Sequence, residues 1–225
     1  MIDKNIKRDI KNLINILNKY PMSGIDDSVR LRDEKQEEYQ WDLWLRRVDD
    51  ERVVYKEIFE IYVRPLIYNI CNFDVLREKG LDWAFIRKYE PGGRVKLPAH
   101  FDTTCYTVNI PLSDPSDYEG GEFLLVNNKN TIPEWIGGPD RLNLITDDLV
   151  KNNYASPIKP EMGDVIVLRG ENNKVAPPNL HRVYNVKKGE RYILCLFFDH
   201  PEINDMPNIF NKYYIIVIQR FYINF

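Results

Sequence analysis

His100-Phe101-Asp102 sets an imidazole and a carboxylate two residues apart, and in extended backbone that spacing puts both side chains on one side of the chain. A second imidazole, His181, follows an expected strand over 164–169 after a proline-bearing loop. Two imidazoles and a carboxylate on one face of a metal leave three coordination positions open, the donor set that suits non-haem Fe(II). Arg191 then opens an apolar strand, where a guanidinium can hold a dicarboxylate through paired, charge-assisted hydrogen bonds. A lone His-x-Asp occurs by chance in many chains. The weight lies in the ordered series of His-x-Asp, long gap, His and Arg in a chain with only 3 histidines.

The neighbours of these residues extend the site. Alternation from Arg191 puts Ile193, Cys195 and Phe197 on its face and Tyr192, Leu194, Leu196 and Phe198 on the other, so both faces of the strand are apolar. An arginine at the mouth of such a row needs an anionic partner, because burying a lone charge costs several kcal/mol; the bland reading is a solvated arginine paired with Glu190. Thr107 and Asn109 share one side of their strand with Cys105 and are candidate hydrogen-bonding groups for a bound ligand. Tyr89 is either a ligand-facing hydroxyl or ordinary core packing. Arg87 projects the same way, as a second anion contact or, by preference, a solvated rim residue. Cys105 is expected to be a packing thiol, His200 a surface histidine, and Gly120-Gly121 a turn.

Elements must hold these groups in place. Apolar residues at Ile2, Ile6, Ile10, Leu13 or Ile14, and Leu17 predict an amphipathic helix that Tyr20-Pro21 ends. A polar stretch, 23–40, precedes a second helical region over 49–76 that Pro65 should kink or divide. After Gly80 the texture becomes β, with strands expected over 83–89, 104–112, 122–127, 164–169, 183–186 and 192–199. Between the third and fourth lies a long segment, 128–161, rich in Pro and Gly and expected to be a lid or binding loop. Its Glu134, Asp140, Asp147 and Asp148 either favour a cationic substrate or form a solvated face. Helices followed by strands predict a β-sandwich or barrel covered on one face by helices.

With 44% apolar residues among 225, disorder is excluded as the main state. A net charge of −3 gives no global pull toward nucleic acid or an anionic membrane. The 3 cysteines, Cys71, Cys105 and Cys195, lie far apart, so neither a disulfide framework nor a zinc ribbon is suggested. The first twenty positions interleave lysines with isoleucines and do not resemble a secretory signal; no apolar run spans a bilayer, and a cytoplasmic location is expected.

FIRKYEPGGRVKLPAHFDTTCYTVNIPLSDPSDYEGGEF (85–123) and HRVYNVKKGERYILCLFFD (181–199) resemble the two halves of the lysyl hydroxylase catalytic domain, in the prolyl and lysyl hydroxylase branch of the Fe(II)- and 2-oxoglutarate-dependent dioxygenases. The shared features are the tyrosine eleven residues before the first histidine, the Thr-x-Asn after His-x-Asp, and the Asp-Tyr-Glu-Gly-Gly turn. The resemblance covers roughly 80–200 and implies a double-stranded β-helix, or jelly roll. It implies His100, Asp102 and His181 as iron ligands and Arg191 as the partner of the distal carboxylate of 2-oxoglutarate; the residue reading adds Tyr89, Thr107 and Asn109 as candidate co-substrate contacts. Fe(II), 2-oxoglutarate and dioxygen follow as cofactor and co-substrates, with ascorbate as an accessory reductant.

The expected organisation is one globular unit: a helical support over 1–79, the catalytic core over 80–200 with its insertion at 128–161, and an extension over 201–225 through which a homodimer could form. The expected activity is hydroxylation of a prolyl or lysyl residue in a peptide or protein. The alternatives are hydroxylation of a free amino acid or other small metabolite and, more weakly, a non-catalytic cupin-type binding module. Collagen as substrate does not follow, since the chain departs from the collagen-modifying enzymes in its missing signal, its long 128–161 segment and its tail. No nucleic-acid or membrane partner is expected.

Overall fold

The computed structural model describes residues 4–19, 40–42, 57–72, 74–75, 80–126, 139–173 and 177–199. Helix α1, Lys4–Leu17, buries Ile10, Leu13 and Leu17 along one stripe, as the sequence periodicity requires. A second helical stretch winds through a π-helical turn, Phe59–Val63, into α2, Arg64–Cys71. Pro65 falls in the first turn of α2, where its missing N–H goes unneeded, so the expected division at this proline is a change of winding. Asn72 ends α2 in the left-handed region at φ 56°.

One antiparallel sheet has the order β1 (Gln40–Asp42), β2 (Leu81–Tyr89), β10 (Arg191–Phe198), β4 (Tyr106–Pro111), β7 (Ile166–Arg169). The facing sheet has the order β3 (Leu97–His100), β8 (Leu180–Val183), β6 (Phe123–Val126), and β5 (Tyr118–Gly120) and β9 (Val186–Gly189) form a separate antiparallel pair. From β2 onward the chain crosses repeatedly between the larger sheet and the smaller side, with β4, β7 and β10 returning to the larger one, which makes a double-stranded β-helix. The alternation expected along β10 holds. Tyr192, Leu194, Leu196 and Phe198 pack against residues of α1 and α2, including Leu13, Leu17 and Ile67, so these helices cover the outer face of the larger sheet. Ile193 and Cys195 point into the space between the sheets, beside Phe85, Tyr89, Ile166 and Phe123.

Several expectations need correction. The strand expected over 183–186 is broken in the middle: Val183 ends β8, Val186 opens β9, and Tyr184 and Asn185 separate them. β1, β3 and β5 were not anticipated. The segment 128–161 is not a plain loop, because Pro139–Lys151 forms a helix, α3, and Ile158 bridges Phe123 at the edge of β6. Leu142 and Leu149 of α3 join Ala99, Leu124, Val126 and Leu180 in a third apolar cluster on the outer side of the smaller sheet. The rest of the expected lid, 128–138, lies outside the described residues, as do His200 and the extension 201–225. Among the described residues no helix is long and apolar enough to cross a membrane.

Candidate metal centre

β3 pairs with β8 so that His100 stands opposite His181, and the two rings project together with centroids 4.3 Å apart. Asp102 follows just past the end of β3 and closes the group. Its Oδ1 lies 3.5 Å from His100 Nε2 and its Oδ2 3.7 Å from His181 Nε2. One donor atom from each of the three residues lies within 4.8 Å of the other two, a spacing that a single metal ion can bridge.

Backbone carbonyls fix both rings. Nδ1 of His100 lies 2.8 Å from the Pro98 carbonyl, and Nδ1 of His181 lies 3.1 Å from that of Asn179. A carbonyl only accepts, so each Nδ1 carries the proton and each Nε2 offers its lone pair to the centre. Burial pushes the pKa of His181 down to about 4, against the upward pull of Asp102, so this ring is neutral at physiological pH. Burial alone would raise Asp102, but the adjacent His181 and His100, helped by the Thr107 hydroxyl, hold its carboxyl well below the usual range. An ionised carboxylate beside the neutral His181 ring, with His100 Nε2 turned to the same point, is a donor set ready for a divalent cation.

Asp102 is held by a turn that the sequence reasoning overlooked. The Glu171 N–H donates to the Asp102 carbonyl at 2.7 Å and the Gly170 N–H to the Cys105 carbonyl at 3.1 Å. A Cβ at position 170 would collide with the Thr104 carbonyl and reach 2.7 Å from that of Asp102, so only glycine lets the two segments approach so closely.

Arg191 enters the same interior from the start of β10 and is 2% exposed. Both Nη atoms are buried without a hydrogen-bond partner among the described residues. The guanidinium lies 5.1 Å from the centroid of Tyr89. It also faces Tyr118, whose pKa burial raises while this cation draws it back. Glu190, the partner in the bland reading, is engaged elsewhere, with Lys88 Nζ at 2.6 Å and the Tyr192 hydroxyl at 3.0 Å. Asn109 on β4 is also buried, and its Oδ1, like Asp102 Oδ2, has no hydrogen-bond partner among the described residues. Buried polar groups are nearly always satisfied, so orphaned acceptors at one end and an orphaned guanidinium at the other imply that this interior is shaped around a metal ion and an anion.

Arg87 departs from expectation, and the neighbouring residues take defined places. Arg87 is no rim residue: it is buried, with its guanidinium 4.5 Å from the Phe85 ring centroid. Cys105 points away from the histidines, its Sγ 3.5 Å from both the Asn172 carbonyl and Asp199 Oδ1. Thr107 serves the Asp102 carboxylate. Tyr118 was overlooked as a member of the arginine pocket, although the Asp-Tyr-Glu-Gly-Gly turn carried the signal. Lys159, from the segment expected to be a lid, donates to the Tyr118 carbonyl at 3.0 Å and lies over its ring.

Comparison with solved structures finds, at low identity, an oxidoreductase of the 2OG-Fe(II) oxygenase family from Burkholderia pseudomallei, 14% identical over 84% of this chain and 77% of that one, with a TM-score of 0.42. A prolyl hydroxylase from Trichoplax adhaerens, solved with a hypoxia inducible factor oxygen degradation domain peptide fragment, is 17% identical over 88% of this chain and 80% of that one, with a TM-score of 0.48. AviO1 from Streptomyces viridochromogenes Tue57 is 14% identical over 92% and 89%, at 0.49. A prolyl-4-hydroxylase from Pseudomonas putida is 12% identical over 86% and 88%, at 0.45. No protein-family model and no curated protein matches the chain.

Proposed function

We propose that this chain is an Fe(II)- and 2-oxoglutarate-dependent dioxygenase that hydroxylates a prolyl or lysyl residue in a peptide or protein. One observation carries the class: a two-histidine and carboxylate triad shares the space between the sheets with a buried guanidinium that has no hydrogen-bond partner among the described residues. His100 and His181, each through Nε2, and Asp102 would hold Fe(II), which the donor set fits. Arg191 would receive the distal carboxylate of 2-oxoglutarate through a two-pronged contact, with Tyr89 and Tyr118 walling the pocket and Asn109 lining the path toward the metal. The bound iron supplies oxidative decarboxylation of 2-oxoglutarate to succinate and carbon dioxide, coupled to oxygen insertion into a C–H bond. The protein orients the co-substrate and keeps water out: Phe85, Ile193 and Phe123 make the walls between the two anchor points apolar.

The peptidyl substrate rests on the resemblance of 85–123 and 181–199 to lysyl hydroxylases. A second reading, hydroxylation of a free amino acid or another small carboxylate, is favoured by Arg87, whose guanidinium is buried on the inner face of β2. The deciding assay measures succinate release with Fe(II), 2-oxoglutarate and ascorbate across proline-bearing peptides, lysine-bearing peptides and free amino acids. The productive substrate gains about 16 Da. Absence of 2-oxoglutarate turnover, with or without substrate, would sink the class; a mass gain confined to free amino acids would select the second reading.

A further inference from the structure

We propose that α3 is a splint for the metal centre and that Asn143 and Arg182 are its positioning residues, an inference that rests on the metal-centre reading above. The two histidines sit on strands whose own pairing is interrupted where it matters. β3 and β8 pair at Leu97 with Val183 and at His100 with His181, but the register shifts between these two pairs. The intervening Pro98 has no N–H to offer, and β3 is the edge of its sheet. Sheet hydrogen bonding alone therefore leaves the separation of the two rings weakly fixed.

Asn143 spans the gap. Its side-chain Oδ1 accepts the N–H of Ala99, next to His100, at 2.9 Å. Its main-chain carbonyl accepts from Nη1 of Arg182, next to His181, at 3.3 Å. The same Nη1 donates to Thr146 Oγ1 and Asp147 Oδ1, each at 2.8 Å, and the guanidinium stacks on the Tyr184 ring at 4.4 Å. One helical residue thus grips both histidine-bearing strands from their outer side, while Leu142 and Leu149 seat the helix against Ala99 and Leu180. Asp147, read from sequence either as part of a solvated face or as an attraction for a cationic substrate, is paired with Arg182 at 2.8 Å.

The test is cobalt(II) titration of the chelator-treated full chain by calorimetry, at a temperature where circular dichroism shows every variant folded. Asn143→Ala should weaken cobalt binding by about 10- to 100-fold, the range for residues that orient metal ligands, and broaden the cobalt absorption bands. Asn143→Asp keeps an acceptor for Ala99 and should restore most of the affinity. Asp147→Ala alters a residue at the surface of the splint and should cause a smaller loss in the same direction, which decides the matter if Asn143→Ala does not fold. Wild-type cobalt affinity in Asn143→Ala and Asp147→Ala, with only the melting temperature lowered, would overturn the splint and leave the metal centre standing. Failure of the wild-type chain to bind cobalt would overturn the metal centre itself, and the splint with it.

Discussion

Arg191 shows how a single buried charge can report an absent partner. Its strand is apolar on both faces, the adjacent Glu190 is engaged by Lys88, and its Nη atoms find no acceptor among the described residues. Such a group costs several kcal/mol unless an anion completes it. Replacing it with Leu should relieve that cost in the free protein and remove the anchor. Melting temperature should hold or rise, while 2-oxoglutarate binding by calorimetry weakens by roughly 2 to 5 kcal/mol. Arg191→Lys should recover part of the affinity, because the charge returns without the planar fork. Unchanged 2-oxoglutarate affinity in Arg191→Leu would move the anchor to Arg87. At this scale the sequence was informative wherever residue type and order sufficed, as for His100, Asp102, His181 and Arg191. It misled at Arg87, because the preference of arginine for solvent says nothing of an aromatic platform such as Phe85 inside the barrel.

Among the elements, β10 was legible because an uninterrupted apolar strand leaves only the question of which residues face which core, and alternation answers it. β3 and β5 were not, because Leu-Pro-Ala-His and Tyr-Glu-Gly are too short to show a period and owe their strand geometry to partners distant in sequence. α3 was missed for the opposite reason: Leu142, Thr146 and Leu149 recur at helical spacing and are buried, but the surrounding prolines and glycines suggested a loop. The Gly170 turn is an element of this kind, set by a close approach between segments that no local pattern records. Gly170→Ala should push its turn away from the Thr104 and Asp102 carbonyls and destabilise the protein by about 1 to 3 kcal/mol, as overpacking does. Because the displaced segment carries Asp102, metal affinity should fall in the same variant. Denaturant unfolding and cobalt titration measure the two effects, and a variant as stable as wild type with full metal affinity would show that the turn yields without disturbing Asp102.

For the molecule as a whole, the larger sheet separates two environments, an outer apolar layer sealed by α1 and α2 and an inner one holding the polar site. The layers meet at the start of β10, where Arg191 turns inward and the neighbouring Tyr192 hydroxyl donates outward to Asn18 at 2.7 Å, just past the end of α1. Placing polar groups inside a core ties global stability to pH. In the metal-free protein His181 has its pKa depressed to about 4 by burial, while in the unfolded chain it titrates near its ordinary value of about 6.5. Between those values the unfolded chain takes up a proton that the folded one refuses, so stability is full above about pH 6.5 and is lost as pH falls toward 4. At pH 5 the loss from this one group is about 2 kcal/mol, or a drop of roughly 4 to 8 °C in melting temperature for a chain of this size. Asn in place of His181 keeps a side-chain N–H for the Asn179 carbonyl but does not titrate, so His181→Asn should lose that part of the acid sensitivity in melting curves run between pH 7 and 5. A pH slope in the variant equal to that of the wild type would assign the acid sensitivity to other groups.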